Sequence, residues 1–251
     1  MYIALLIILL VFMLSATIRT ALRMKDAVKT GKKPSKRYSR MMVWMWGPAI
    51  AVIIISLLVG INLADLGFRA ISFNYNIWFT VVTLIISGLM LISSLRTIIL
   101  SLTCKKFREK MKSELESDGV AQNILPRTKK EKRQYVLLSF SSGICEELIY
   151  RGFMVFLLQS IFLETPIFII VLITGVLFGL GHLYQGWQGV IQTGVVGAIF
   201  VCLFLVTNSL IPVMALHFIT NASDAFYLSE ENENEQGAFQ HEQPINTATE
   251  E

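Results

Sequence analysis

Glu146, Glu147 and Arg151 fall within one hydrophobic stretch of this chain, His182 ends the next stretch, and His217 and Asn221 lie in the last. A carboxylate, two imidazoles and an amide are the parts of a hydrolytic site. The carboxylate takes a proton from water, and N–H donors stabilise the oxyanion that forms when that water attacks a carbonyl. Charged groups in hydrocarbon cost several kcal/mol even on mild scales, roughly 2.5 to 3.5 at a helix centre, so such residues face a protein interior or a wet cavity and carry function by default. The chain holds three histidines, two of them in apolar segments and the third, His241, in the C-terminal tail. It contains no H-E-x-x-H sequence and no nucleophile motif built on serine or cysteine.

Spacing assigns the groups to faces. Glu147 and Arg151 are four apart and can pair on one side of a helix. Glu146 is turned by about 100° from its neighbour and shares a stripe with Tyr150 and Phe153, without an equally obvious cation. A purely structural Glu–Arg bridge with the second glutamate facing the cytoplasm is the competing reading. Depth argues against it, because counting from Tyr135 puts Glu146 roughly 16 Å into the helix. His182 follows Gly179 and Gly181, which let a neighbouring helix approach closely; a satisfied interfacial histidine is the alternative there. His217 and Asn221, four apart on an apolar helix, point inward together, with interhelical hydrogen bonding as their alternative role.

The elements that position these groups are membrane spans. Hydrophobic residues make up 54% of 251 and charged residues 16%, with a mean hydropathy of +0.59, which excludes an ordinary soluble domain. Seven stretches reach spanning length, 2–18, 42–61, 77–100, 135–158, 166–183, 189–207 and 210–228, the last two joined by a tight turn. The expected fold is all-α: a polytopic membrane helical bundle of about seven spans with a cytoplasm-facing intramembrane cavity. The loop from Arg19 to Arg40 holds nine basic residues against one acidic, and that from Lys105 to Arg133 ten against five. Both belong in the cytoplasm by the positive-inside rule, which places the N-terminus outside and the C-terminal tail inside.

The first apolar run has no basic segment before it and reads as an uncleaved anchor. Cys104, Cys145 and Cys202 have no metal-ligand spacing and read as small buried hydrophobes. Thr128 is a predicted cap for a helix whose basic first turns lie at the membrane surface. The segment from Ser229 to Glu251 carries seven glutamates and no Lys or Arg, the composition of a disordered tail. The predicted division is residues 1–119 as an N-terminal three-span region with basic loops, 120–228 as the core that carries the chemistry, and 229–251 as the tail. The basic loops are accounted for by topology and anionic lipid, and nothing calls for nucleic acid.

Glu146-Glu147-x-x-x-Arg151, Phe178-x-x-x-His182 and His217-x-x-x-Asn221, in that order on successive helices, resemble the CAAX protease and bacteriocin-processing (CPBP, or Abi) family of intramembrane proteases. The resemblance covers about residues 120–226, and "ADLGFR" between the second and third spans is a looser likeness. It implies a fold related to the type II CAAX prenyl endopeptidases. It also implies that Glu146 activates the attacking water, His182 helps hold it, and His217 and Asn221 stabilise the oxyanion. Glu147 and Arg151 match the motif as the structural pair derived above, with Glu147 a lesser candidate for direct chemistry.

Zinc is an alternative to a metal-free site. It would take Glu146 or Glu147 with His182 and His217 and leave water in the fourth position. No two histidines stand four apart on one helix, so the metal-free glutamate route is the favoured expectation. The resemblance further implies that the substrate is a hydrophobic or membrane-anchored peptide or protein at the plasma membrane of a bacterial cell, cleaved in peptide maturation, bacteriocin immunity or signalling. Two other classes compete: a peptide-binding immunity or scaffold protein that does not cut, and a proton-coupled transporter, whose usual internal repeats are not evident here.

Overall fold

The computed structural model describes residues 37–117, 125–126 and 128–226, together with Val11, Ser15, Ile18 and Leu22. Among the described residues all regular structure is helical. Helix α1 is Arg37–Leu58, α2 Ile77–Thr103, α3 Lys105–Ser117 and α4 Lys129–Glu147. A π-helical segment, Leu148–Met154, runs on directly into α5, Val155–Ile161. Helix α6 is Ile167–Leu180, α7 Gly186–Thr207 and α8 Leu210–Ser223, with single 3₁₀ turns at Leu183–Gln185 and Asp224–Phe226.

Helix α2 shows what solvent the bundle is built for. Its buried positions are Thr80, Thr83, Ser87, Ser94 and Ser101, while Ile85, Leu89, Ile92 and Ile99 point outward and are exposed. That is the reverse of a water-soluble helix. Small polar residues bring helices together and large apolar ones meet lipid. Helix α3, by contrast, is highly charged and carries exposed i,i+4 pairs, Lys105–Glu109 and Lys110–Glu114, as expected of a segment in water.

Three described helical runs are long and apolar enough to cross a membrane, Tyr38–Leu58, Ile77–Thr103 and Leu183–Thr207, and two more are apolar but shorter, Ile167–Gly181 and Leu210–Phe226. The fourth predicted span, 135–158, lies inside the α4–π–α5 run and is not the uniform α-helix that spacing suggested. Its hydrogen bonding widens at Leu148, immediately after the two glutamates. The predicted span 2–18 and the acidic tail fall outside the described residues. Thr128 does cap α4, its hydroxyl accepting from the Glu131 N–H at 3.2 Å.

One apolar core joins the N-terminal helices to the C-terminal ones. Ala49 and Val52 of α1 and Leu66 of the following loop belong to the same buried cluster as Phe153, Phe178, Phe200 and Val213. Within it, glycines set backbone distances. A Cβ on Gly179 of α6 would lie 2.5 Å from the Val190 carbonyl oxygen of α7, and one on Gly143 of α4 would lie 3.1 Å from the Met214 carbonyl oxygen of α8. Gly179→Ala should therefore destabilise the protein by about 1 to 3 kcal/mol through backbone overpacking. Gly88→Ala, where a Cβ meets nothing within 4 Å, should leave it equally stable or more so by up to about 1 kcal/mol. Thermal unfolding of both variants in detergent checks the contrast.

Candidate active site

The last residues of α4 carry the carboxylates, and the π segment carries Arg151. Glu147 and Arg151 are both fully buried, and Arg151 Nη1 donates to Glu147 Oε1 at 2.9 Å. The guanidinium also donates from Nη2 to the Gly197 carbonyl on α7 at 3.0 Å. Its central carbon stands 4.4 Å from the centre of the Phe178 ring on α6. A fixed planar fork with a stackable face suits these three partners, and an ammonium would not satisfy them together. Arg151 thus ties α4, α6 and α7 at one level.

Glu147 has a second partner that helical spacing could not reveal. His217 Nδ1, seventy residues along the chain on α8, lies 2.6 Å from the same Glu147 Oε1. A carboxylate oxygen only accepts, so this bond puts a proton on His217 Nδ1. The other ring nitrogen, Nε2, faces Glu146, 3.9 Å from its Oε2. His217 is buried, while the Glu146 side chain keeps 22% of its surface exposed. The two neighbouring glutamates therefore have different situations. Glu147 is sealed between a cation and an imidazole, and Glu146 is open on one side. Glu147 Oε2 and Arg151 Nε have no hydrogen-bond partner among the described residues.

His182 sits just past the end of α6, half-buried, with Nδ1 2.9 Å from the Phe178 carbonyl oxygen. A carbonyl also only accepts, so Nδ1 carries the proton and Nε2 keeps its lone pair when the ring is neutral. The Phe178 ring packs against both histidines, at 4.8 Å from His182 and 6.2 Å from His217, and takes Tyr150 edge-on at 5.1 Å. Phe178 is the common wall of the cluster. Asn221 is half-buried on α8 and donates from Nδ2 to Ser142 Oγ on α4 at 3.0 Å, which leaves its second amide N–H available.

Spacing alone did not single out Ser142, Gly197 or Phe200, whose ring lies tilted against His217 at 5.3 Å. Ser142 orients the Asn221 amide and Gly197 supplies a carbonyl to Arg151. In the sequence they are an unremarked serine and one glycine among several. Cys145, beside Glu146, is fully buried and free.

A catalytic zinc needs three protein ligands converging on one point. Among the described residues no three His, Cys, Asp or Glu side chains are grouped to hold a metal ion. The Nδ1 bonds of His217 to Glu147 and of His182 to a backbone carbonyl leave both Nε2 atoms free, so they do not decide the matter either way. Glu146, His182 and His217 are among the side chains not so grouped in this arrangement.

The molecule is a helical membrane bundle with a buried, internally paired cluster of ionisable residues. Residues 131–223 match the family described as type II CAAX prenyl endopeptidase Rce1-like. This segment contains Glu146, Glu147, Arg151, His182, His217 and Asn221, and it is similar to an Rce1-like domain. The Rce1-like family is one of intramembrane proteases, hydrolases acting on peptide bonds. No curated protein and no solved structure matches the chain.

Arg151→Ala should cost about 3 to 5 kcal/mol, because it leaves Glu147 buried without its cation. The double variant Glu147→Gln/Arg151→Met, which removes both charges and keeps volume, should be clearly more stable than Arg151→Ala. Abundance in membranes and unfolding temperature in detergent read both effects.

Proposed function

We propose that this protein is an intramembrane endopeptidase that hydrolyses hydrophobic or membrane-anchored peptides with a water activated by Glu146. The observation that carries the reading is His217, held by Glu147 on one ring nitrogen and facing Glu146 with the other. Glu146 is the one of the two carboxylates that is open to an incoming molecule and is not committed to a cation.

The chemistry follows from donors and acceptors. A water that donates one hydrogen to the Glu146 carboxylate and the other to His182 Nε2 presents a lone pair to a substrate carbonyl. Glu146 takes the proton as the new C–O bond forms. The carbonyl oxygen becomes an oxyanion, which accepts from the free Asn221 N–H, with His217 Nε2 placed to donate as well when that nitrogen carries a proton. Glu147, itself balanced by Arg151, orients the His217 ring from Nδ1 as the buried carboxylate of a catalytic triad does. Collapse breaks the C–N bond, Glu146 returns its proton to the departing nitrogen, and a carboxylate and an amine leave.

In this reading residues 120–228 carry the reaction and the helices before them support it. The N-terminus lies outside a bacterial plasma membrane and the tail inside, as the basic loops favour. Substrates reach Glu146 from the bilayer or its cytoplasmic surface, in peptide maturation, bacteriocin immunity or signalling.

The test compares purified wild type with Glu146→Gln in nanodiscs on a panel of quenched membrane-anchored peptides, with and without a zinc chelator. Wild type should cleave in both conditions, and Glu146→Gln should fold normally yet lose about 10²- to 10⁴-fold in rate. An active Glu146→Gln would remove Glu146 as the base. Loss of wild-type cleavage in chelator would replace the metal-free route with a metal-dependent one. A folded wild type that binds these peptides and cuts none would turn the assignment to a peptide-binding immunity or scaffold protein.

A further inference from the structure

The connection between α1 and α2 is fastened to the bundle by its backbone. Asn62 and Asp65 bond reciprocally, the Asn62 N–H to Asp65 Oδ2 at 2.9 Å and the Asp65 N–H to Asn62 Oδ1 at 3.0 Å, which closes a compact turn. Leu66 then enters the core, and Gly67 follows with a φ of +92°. A Cβ at Gly67 would lie 2.5 Å from the Phe204 ring, so both conformation and space call for glycine.

From there the loop grips the turn between α7 and α8. The Gly67 carbonyl accepts from the Leu210 N–H at 2.9 Å, and the Ser72 N–H donates to the Thr207 carbonyl at 2.9 Å. Ser209 Oγ donates to the Arg69 carbonyl at 2.6 Å. The Arg69 side chain reaches across 139 residues of sequence, donating from Nε to the Asn208 carbonyl at 2.7 Å and from Nη2 to Asn208 Oδ1. Asn208 itself is left-handed at φ 51° and caps α7. The same loop also lies on the π segment: a Cβ on Gly152 would be 2.7 Å from the Leu66 carbonyl oxygen.

These contacts bear on the two helices whose side chains meet in the site. His217 is seven residues after Leu210, two turns along the same face of α8. Glu147 is five residues before Gly152, one π turn. The 2.6 Å contact between them therefore depends on how far α8 is slid along the α4–π run. Helices in lipid have no hydrophobic drive to hold that register, and end contacts and close packing must supply it. The close approach of α8 to Gly143 sets lateral spacing. The loop sets the axial position, since it bonds the first residue of α8 and rests on the π segment at once.

We propose that Arg69 is a positioning residue for the reaction: by clamping the Asn208–Ser209 turn, it fixes the axial register of α8 and keeps His217 on Glu147. The kinetic consequence rests on the protease reading above, and the register itself does not. Fork-like donation to two oxygens of one residue is a task for arginine, which a lysine performs in part.

The experiment uses full-length wild type, Arg69→Ala, Arg69→Lys and Asn208→Gly. The last keeps the left-handed turn and removes the side-chain acceptor, so it serves if Arg69→Ala fails to accumulate. Two readouts are taken on each: kcat and KM on a cleaved peptide, and the imidazole nitrogen signals of ¹⁵N-histidine-labelled protein, with His217 identified from His217→Gln. Arg69→Ala should lower kcat by about 10- to 100-fold with KM within about twofold, as displacement near 1 Å does. It should also move the His217 signal away from its carboxylate-bonded position. Arg69→Lys should recover part of both, and Asn208→Gly should shift both in the same direction. Unchanged kcat and an unchanged His217 signal in Arg69→Ala would overturn the proposal, as would a rise in KM alone. If wild type cleaves nothing while the His217 signal still responds to Arg69→Ala, the protease reading falls and the positioning role remains; if that signal does not respond either, both fall.

Discussion

A carboxylate with no access to water must be neutralised by what surrounds it, and Glu147 is such a carboxylate. One of its oxygens accepts from both Arg151 and His217. Breaking a buried pair of this kind costs several kcal/mol, about 3 to 5, so the fold has no inexpensive way to part these groups. Because Arg151 also reaches Gly197 on α7 and lies over Phe178 on α6, a single network joins α4, α6, α7 and α8. The ring orientation of His217, the wall formed by Phe178 and the openness of Glu146 all descend from it.

The division of labour between adjacent glutamates is a matter of surroundings. Glu147 precedes the π segment and is drawn inward to its two partners. Glu146, one residue earlier, keeps an exposed face and has no ion pair with a lysine or arginine among the described residues. Widened turns of this type recur at functional sites because they re-aim side chains without ending a helix. Here the widening begins at Leu148, directly after the pair whose roles differ.

Spacing made part of this legible. Four-residue separations placed Glu147 with Arg151 and His217 with Asn221 on common faces, and inward polar residues in apolar helices are required by the cost of charge in lipid. The capped start of α4 at Thr128 was legible for the same local reason. What joins separate helices was not. The Glu147–His217 contact spans 70 residues, Asn221–Ser142 spans 79 and Arg69–Asn208 spans 139. No periodicity encodes those distances, because they depend on which helices pack and at what height. The π segment was hidden too, since nothing in the spacing of L-I-Y-R-G-F-M distinguishes a widened turn from an α-helical one. Glycines were visible as letters, yet only the packed bundle distinguishes Gly179, where a Cβ would strike backbone, from Gly88, where it would meet nothing.

The central claim is that Glu147 holds His217 as a unit distinct from the reacting Glu146. A double-mutant cycle tests it most directly: the unfolding free energies of Glu147→Gln, His217→Gln and the double variant, measured with wild type in mixed micelles. Shared bonding predicts that the double variant is destabilised by less than the sum of the single variants, with a coupling above about 1 kcal/mol. Additive losses, agreeing to within about 0.3 to 0.5 kcal/mol, would contradict the account.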